Sequence, residues 1–242
     1  MTEAWLIVLI ALVAFAYAMV GHGGASGYLA VLAFFGFAQE VMRPSALVLN
    51  LCVSSIATIQ YARAGHFKWR SFWPFAVTSV PLSFLGYGVK LDPLVYTRIL
   101  ALCLVVAVAR MLGLFGQGTP EHKEVPIVPA LLIGAGIGFL SGMLGIGGGI
   151  LLSPLMLLCA WGDAKQVAAI SAPFILVNSA SGLLRATASG LVLPNEAWAW
   201  IAVAIAAGLL GSWVGARKAP EPRLRQALGL VLLFASIKLF FP

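Results

Sequence analysis

The 242 residues are 61% hydrophobic and only 10% charged, with a mean hydropathy of +1.00. A soluble domain of this length carries about 25% charged residues, so a soluble globular fold is excluded. A membrane barrel is excluded too, because no strand-period alternation with a charged lumen face appears.

Apolar runs recur along the whole chain, which predicts an all-α polytopic membrane protein. Met1-Thr2-Glu3 carries no positive charge, and no small-residue cleavage site follows cleanly, so the first run is retained as a mature element. The first five elements are expected at 4–20, 26–39, 44–62, 71–89 and 95–115. A polar break from Gly116 to Glu124 follows. Five more are expected at 127–145, 150–161, 166–187, 197–216 and 224–241. The organisation is a first repeat at 1–115, a linker at 116–126 and a second repeat at 127–242, together forming one membrane domain. The net charge of +7 is no nucleic-acid footprint, because its Lys and Arg are spread over short loops, where they set topology. Cys52, Cys103 and Cys159 have no paired spacing and predict neither a disulfide framework nor a metal site.

The two sets of five elements superpose without a gap at an offset of 125 residues. At that offset Gly23 and Gly24 meet Gly148 and Gly149, Ser54 meets Ser179, and Gly65 meets Gly190. Trp73 then meets Trp198, Gly86 meets Gly211, and Arg98 meets Arg223. Loop charge orients the copies. Between the third and fourth elements the first half carries Arg63, Lys68 and Arg70, whereas Ala186 to Asn195 has no basic residue. One loop later the bias reverses, with Arg217, Lys218, Arg223 and Arg225 in the second half. Cytoplasmic loops collect Lys and Arg, so equivalent loops lie on opposite sides. Each unit has an odd number of elements, which also turns the second copy over. The expectation is an inverted repeat.

The second and seventh elements are too short to span, since about 20 residues are needed. Each follows a glycine cluster, Gly21-His22-Gly23-Gly24-Ala25-Ser26-Gly27 and Gly142 to Gly149, and each forms a hairpin with the element before it. In hydrocarbon such a turn survives only inside protein or along a polar cavity. Inverted symmetry brings the two turns together near the midplane. A helix starting after a glycine turn aims free N–H groups and its positive dipole end into the cavity. The pair is therefore expected to bind a small anion through Gly23, Gly24, Ser26, Gly147, Gly148 and Gly149. For either turn alone, close helix packing is the competing explanation.

Asn50 and Ser54 on the third element, and Asn178 and Ser179 on the eighth, are the expected side-chain donors. Ser55, Thr58, Ser171 and Ser181 are further polar positions there, and plain interhelical hydrogen bonding competes as their role. Gln60 and Arg185 are candidates for drawing anions towards a mouth, although a terminal Arg commonly snorkels. His22 is the candidate for proton exchange, against the bland role of a satisfied buried group. No Ser/His/Asp, Cys/His or metal-ligand spacing appears, so no catalytic residue, cofactor or metal is expected.

The motif Gly142-x-x-Gly145-x-Gly147-Gly148-Gly149-x-Leu151-x-x-Pro154, the 125-residue repeat and the overall size resemble the sulfite exporter TauE/SafE family, the toluene-sulfonate uptake permease type. The first-half copy at Gly21 to Gly24 is degenerate and has Leu29 where the second has Pro154. The resemblance implies transport of sulfite, sulfonates or related oxyanions across a bacterial inner membrane. The resulting expectation is a secondary transporter, an exporter, with a small anionic substrate and membrane lipid as partners. Its alternatives are an anion channel or a non-transporting accessory subunit. A homodimer is left open, and no nucleic-acid partner is expected.

Overall fold

The computed structural model describes residues 2–111, 123–191, 193–218 and residue 233. The described residues form helices and no strand: α1 (Thr2–Met19), α2 (Ala25–Phe34), α3 (Gln39–Arg63), α4 (Trp69–Tyr87) and α5 (Pro93–Met111), then α6 (Ile127–Leu144), α7 (Gly149–Leu158), α8 (Ala164–Ala188) and α9 (Ala197–Arg217). The expected element at 224–241, the end of the fifth element and most of the linker lie outside the described residues. By length and composition α3, α6, α8 and α9 are able to cross a membrane. Large apolar side chains such as Trp5, Leu132 and Leu210 face outward, as a lipid-facing surface requires.

α2 and α7 have ten residues each, half of what a span needs. Two boundaries differ from expectation by five residues. α2 stops at Phe34 rather than at 39, and α3 starts at Gln39 rather than 44. Gly36 ends α2 in the left-handed conformation, φ 77°, and the Phe37 N–H returns to the Leu32 carbonyl, a Schellman-type stop. α3 opens on a polar turn, where Glu40 meets the positive end of the helix. A count of apolar residues alone misses that turn.

The helix boundaries recur at the 125-residue spacing. Thr2–Met19 becomes Ile127–Leu144, and Gln39–Arg63 becomes Ala164–Ala188. Gly65 and Gly190 both turn left-handed after their helices, φ 80° and 82°. α4 packs on α6 and α1 packs on α9. Gly134, Gly138 and Gly142 lie at four-residue spacing on one face of α6. A Cβ on any of them would overlap the backbone of Phe75, Ser79 or Ser83 in α4. α9 approaches α1 in the same manner, with Gly211 on the Phe15 carbonyl and Gly215 on that of Met19. Small residues thus set the helix–helix distance. α3 and α8 pack together, with α2 against α3 and α7 against α8. That arrangement carries both short helices, and the turns that precede them, into the interior.

Candidate functional site

Every residue from Gly21 to Ala30 and from Ser141 to Ile150 is buried. Gly21 and Gly24 have φ 74° and 98°, and Gly145, Gly147 and Gly148 have φ 76°, 73° and 80°. L side chains avoid this region, and glycine enters it without cost. Buried helix starts leave N–H groups that need partners, and neither α2 nor α7 has a side-chain cap of its own. Asn50 of α3 supplies one from a distance. Its Oδ1 accepts the Ala25 N–H at 3.1 Å, and its Nδ2 donates to Ser179 Oγ of α8 at 2.8 Å. A Cβ on Gly23 would overlap Asn50 Oδ1, and one on Gly147 would overlap Asn50 Nδ2. One amide therefore touches both turns, and glycine at both positions makes room for it.

A second node joins the halves beside the first. His22 Nδ1 lies 2.9 Å from the Val20 carbonyl, and the Gly149 backbone also hydrogen-bonds the ring. In the tautomer that donates from Nδ1 to Val20, Nε2 is an acceptor. Ser153 Oγ of α7 is 3.1 Å from Nε2 and 2.6 Å from Ser171 Oγ of α8. The hydroxyls then run in one direction: Ser171 donates to Ser153, and Ser153 donates to His22.

Each turn also holds one buried hydroxyl without a hydrogen-bond partner, Tyr28 at the first and Ser141 at the second. A Cβ on Gly24 would lie 2.9 Å from Tyr28 Oη, and one on Gly148 would lie 3.2 Å from Ser141 Cβ. Buried polar groups without partners are rare. Among the described residues the buried side-chain atoms without one are these two hydroxyls, Arg43 Nε, Ser45 Oγ and Asn178 Oδ1, and the two hydroxyls are donors available to a ligand at the turns.

Of the residues expected from sequence, Gly23, Gly24, Asn50, Gly147, Gly148, Gly149, Ser179 and His22 come together here. Ser26 turns towards α1 and shares a hydrogen bond of 2.9 Å with Tyr17 Oη. Ser54 is buried but reaches only the Leu51 carbonyl of its own helix, at 3.4 Å. Asn178 donates to the Phe174 carbonyl, leaving Oδ1 buried and unpaired, while Ser83 of α4 bonds its backbone carbonyl. Gln60 lies about 15 Å along α3 from Asn50, at 1.5 Å per residue. Arg185 stands at the end of α8, donating to Ser189 Oγ at 3.4 Å with its guanidinium 5.7 Å from the Phe84 ring centre. Gly142 belongs to the α6 packing face rather than to the turn.

Sequence reasoning passed over Tyr28, Ser141, Ser153 and Arg43 as site residues. Arg43 Nη2 donates to the carbonyls of Tyr87 and Gly142, at 3.1 and 3.2 Å, and its guanidinium lies 4.3 Å from the Tyr87 ring centre. It ties the C-terminal ends of α4 and α6, where the helix dipole favours a cation. The usable signal for Ser153 was its place four residues after Gly149, one helical turn into α7.

Residues 6–239 match the family described as sulfite exporter TauE/SafE. The chain belongs to that family. Over 233 residues it is 40% identical to the probable membrane transporter protein y4hK of Sinorhizobium fredii, covering 95% of this chain and 94% of that protein. A probable membrane transporter protein of Methanocaldococcus jannaschii is 27% identical over 134 residues, 54% of this chain and 50% of the other. No solved structure matches the chain. As a TauE/SafE member with several apolar helices, the chain is a multi-pass membrane transporter. Both named relatives are described as probable membrane transporters.

Proposed function

We propose that this transporter exports a small sulfur oxyanion such as sulfite, or an organosulfonate, bound near the midplane between the two glycine turns. The observation that carries this is the Asn50 amide, which contacts Gly23 and Gly147 at once and brings two buried helix starts to one point. A small anion is the ligand such a place suits. Helix N-termini favour negative charge, and the hydroxyls of Tyr28 and Ser141 are unpartnered donors. Gly24, Gly148 and Ser179 complete the contact surface, while Ser26, Ser54 and Asn178 support the walls.

The recurring helix boundaries and reversed loop charges support two inverted repeats in a bacterial inner membrane, rocking against each other to expose the site alternately. Pro154 and Pro173 lie inside helices α7 and α8, where each removes a ladder hydrogen bond and supplies a flexible point. The face bearing Lys68, Arg70 and Lys123 is cytoplasmic on this reading. These residues line an open cleft of about 310 Å³ together with Glu124, which pairs with Arg70 at 3.5 Å and leaves the cleft net positive.

The test is efflux from proteoliposomes loaded with sulfite or a sulfonate. Saturable efflux that is lost in Gly148→Leu is expected. The absence of flux with every such anion, or full flux in that variant, would sink the proposal.

A further inference from the structure

We propose that His22 is a proton-binding site and that each anion is carried together with one proton held on its Nε2. This deepens the transport reading above and rests on it. His22 is only 3% exposed. Tyr17 of α1 meets its ring edge-on at 6.5 Å, and Gly149 and Ser153 of α7 face it across the halves. Ser171 of α8 reaches it through Ser153.

The helices around this node carry charge only near their ends. α1 has Glu3, α8 has Lys165 and Arg185, α3 has Glu40, Arg43 and Arg63, and α2 and α7 have none. Among the described residues no carboxylate hydrogen-bonds or ion-pairs with the ring. An imidazolium formed here has no counter-ion in the protein, and a buried charge without one is costly. An anion arriving between the turns is that counter-ion. Each ligand then strengthens the binding of the other, as linkage requires.

The hydroxyl chain conveys the change without moving a heavy atom. With neutral His22, Ser171 donates to Ser153 and Ser153 donates to Nε2. When a proton adds to Nε2, the imidazolium donates to Ser153 Oγ instead. Ser153 then turns its hydroxyl to Ser171, and the hydroxyl of Ser171 is released to donate elsewhere. Ser171, Ile175 and Ser179 follow at four-residue spacing on one face of α8, and Ile175 touches the positions of Gly147 and Gly149. The released donor therefore lies on the α8 face that meets the turns. Proton loss reverses the sequence: the proton leaves Nε2 for water on the side where the anion leaves. For a monovalent anion the cycle is electroneutral, so outward flux is driven by the internal anion concentration and an inward proton gradient opposes it. The His22–Ser153 bond joins first half to second half, so an opening motion between them breaks it and exposes Nε2.

The experiment uses the full chain in proteoliposomes with an internal pH dye and labelled methanesulfonate. A sulfonate stays ionised throughout, whereas protonated sulfite crosses bilayers unaided and would mimic coupling. Wild type is expected to move about one proton per anion, and a pH gradient alone is expected to drive several-fold anion accumulation. In His22→Gln, whose amide is polar but does not titrate, protons moved per anion fall to near zero whatever rate remains. If that variant does not transport, anion-induced thermal stabilisation provides the second readout. It rises as pH falls through the imidazole range in wild type and is flat with pH in His22→Gln. Wild-type flux without proton movement overturns this proposal alone, as does an unchanged ratio or pH profile in the variant. Absence of any anion flux or anion binding in wild type overturns the transport reading and this proposal with it.

Discussion

Asn50→Ala tests the centre of the site. The amide makes two buried hydrogen bonds, accepting the Ala25 N–H at 3.1 Å and donating to Ser179 Oγ at 2.8 Å. Such bonds contribute about 1 kcal/mol each, and a buried donor left without a partner costs about 1–3 kcal/mol. Ser179 recovers by rotating its hydroxyl onto a carbonyl one turn back, as Ser55 and Thr58 already do on α3. The Ala25 N–H has no such recourse, because it opens its helix and the preceding residues are in the turn. The expected loss is about 2–4 kcal/mol, and the lower end is the better guide because hydrogen bonds in bilayers measure near 0.6 kcal/mol.

Reversible unfolding in mixed micelles reads this loss directly. Ser54→Ala is the matched control, removing a hydroxyl that reaches only the Leu51 carbonyl of its own helix. Its expected cost is about 0.5 kcal/mol or less. If Asn50→Ala unfolds within that margin of wild type, the amide is not holding the two turns, and the reasoning that makes them one site is refuted.

Gly145→Ala and Gly147→Ala separate strain from crowding. Both glycines are left-handed, φ 76° and 73°, but a Cβ at 145 meets Arg43 at an ordinary 3.5 Å whereas one at 147 displaces Asn50. Unfolding should show about 1 kcal/mol for the first, from left-handed strain, and about 3 kcal/mol or more for the second, with loss of flux. On α6, Gly138→Val drives into the Ser79 backbone and should leave little monodisperse protein by size-exclusion chromatography, while Gly136→Ala meets nothing within 4 Å and should be neutral or slightly stabilising. Arg43→Gln removes the cation from two helix ends and should lower the melting temperature by an amount equivalent to about 1–3 kcal/mol. Arg43→Lys should recover only part, because one ammonium does not both bond the carbonyls and lie flat on Tyr87.

The helices, their order and the two short members were legible because hydropathy and glycine punctuate a membrane chain strongly. The tertiary role of each glycine was not. Gly142 and Gly145 belong to one motif, yet the first spaces α6 from α4 and the second turns the chain. Sequence alone records a missing Cβ and not the φ or neighbour that demands it. The repeat places Ser54 and Ser179 at equivalent positions, and the residue that bonds Ser179 is Asn50, one helical turn before Ser54. Which hydroxyl of an apolar helix meets which neighbour depends on helix rotation, and Tyr28 and Ser141 give no periodic signal of it.

That displacement says how the two halves divide the work. At the 125-residue offset Asn50 corresponds to Ile175, His22 to Gly147 and Tyr28 to Ser153. The helices repeat, and so does Gly86 as Gly211, but Gly134, Gly138 and Gly142 fall on Leu9, Val13 and Tyr17, and Asn50, His22 and Tyr28 have no like counterpart. A two-fold scaffold suits a carrier because it lets one motion open either face, but a single ligand at the centre meets one environment and has no use for two copies of each donor. The first half therefore supplies Asn50 and His22, while the second supplies bare backbone at Gly147 to Gly149 and the hydroxyls of Ser153 and Ser179. Glycine is dense in the second turn because the side chains of the first must fit against it. On the proposed reading, the degenerate first turn and the glycine-rich second are complementary parts of one site.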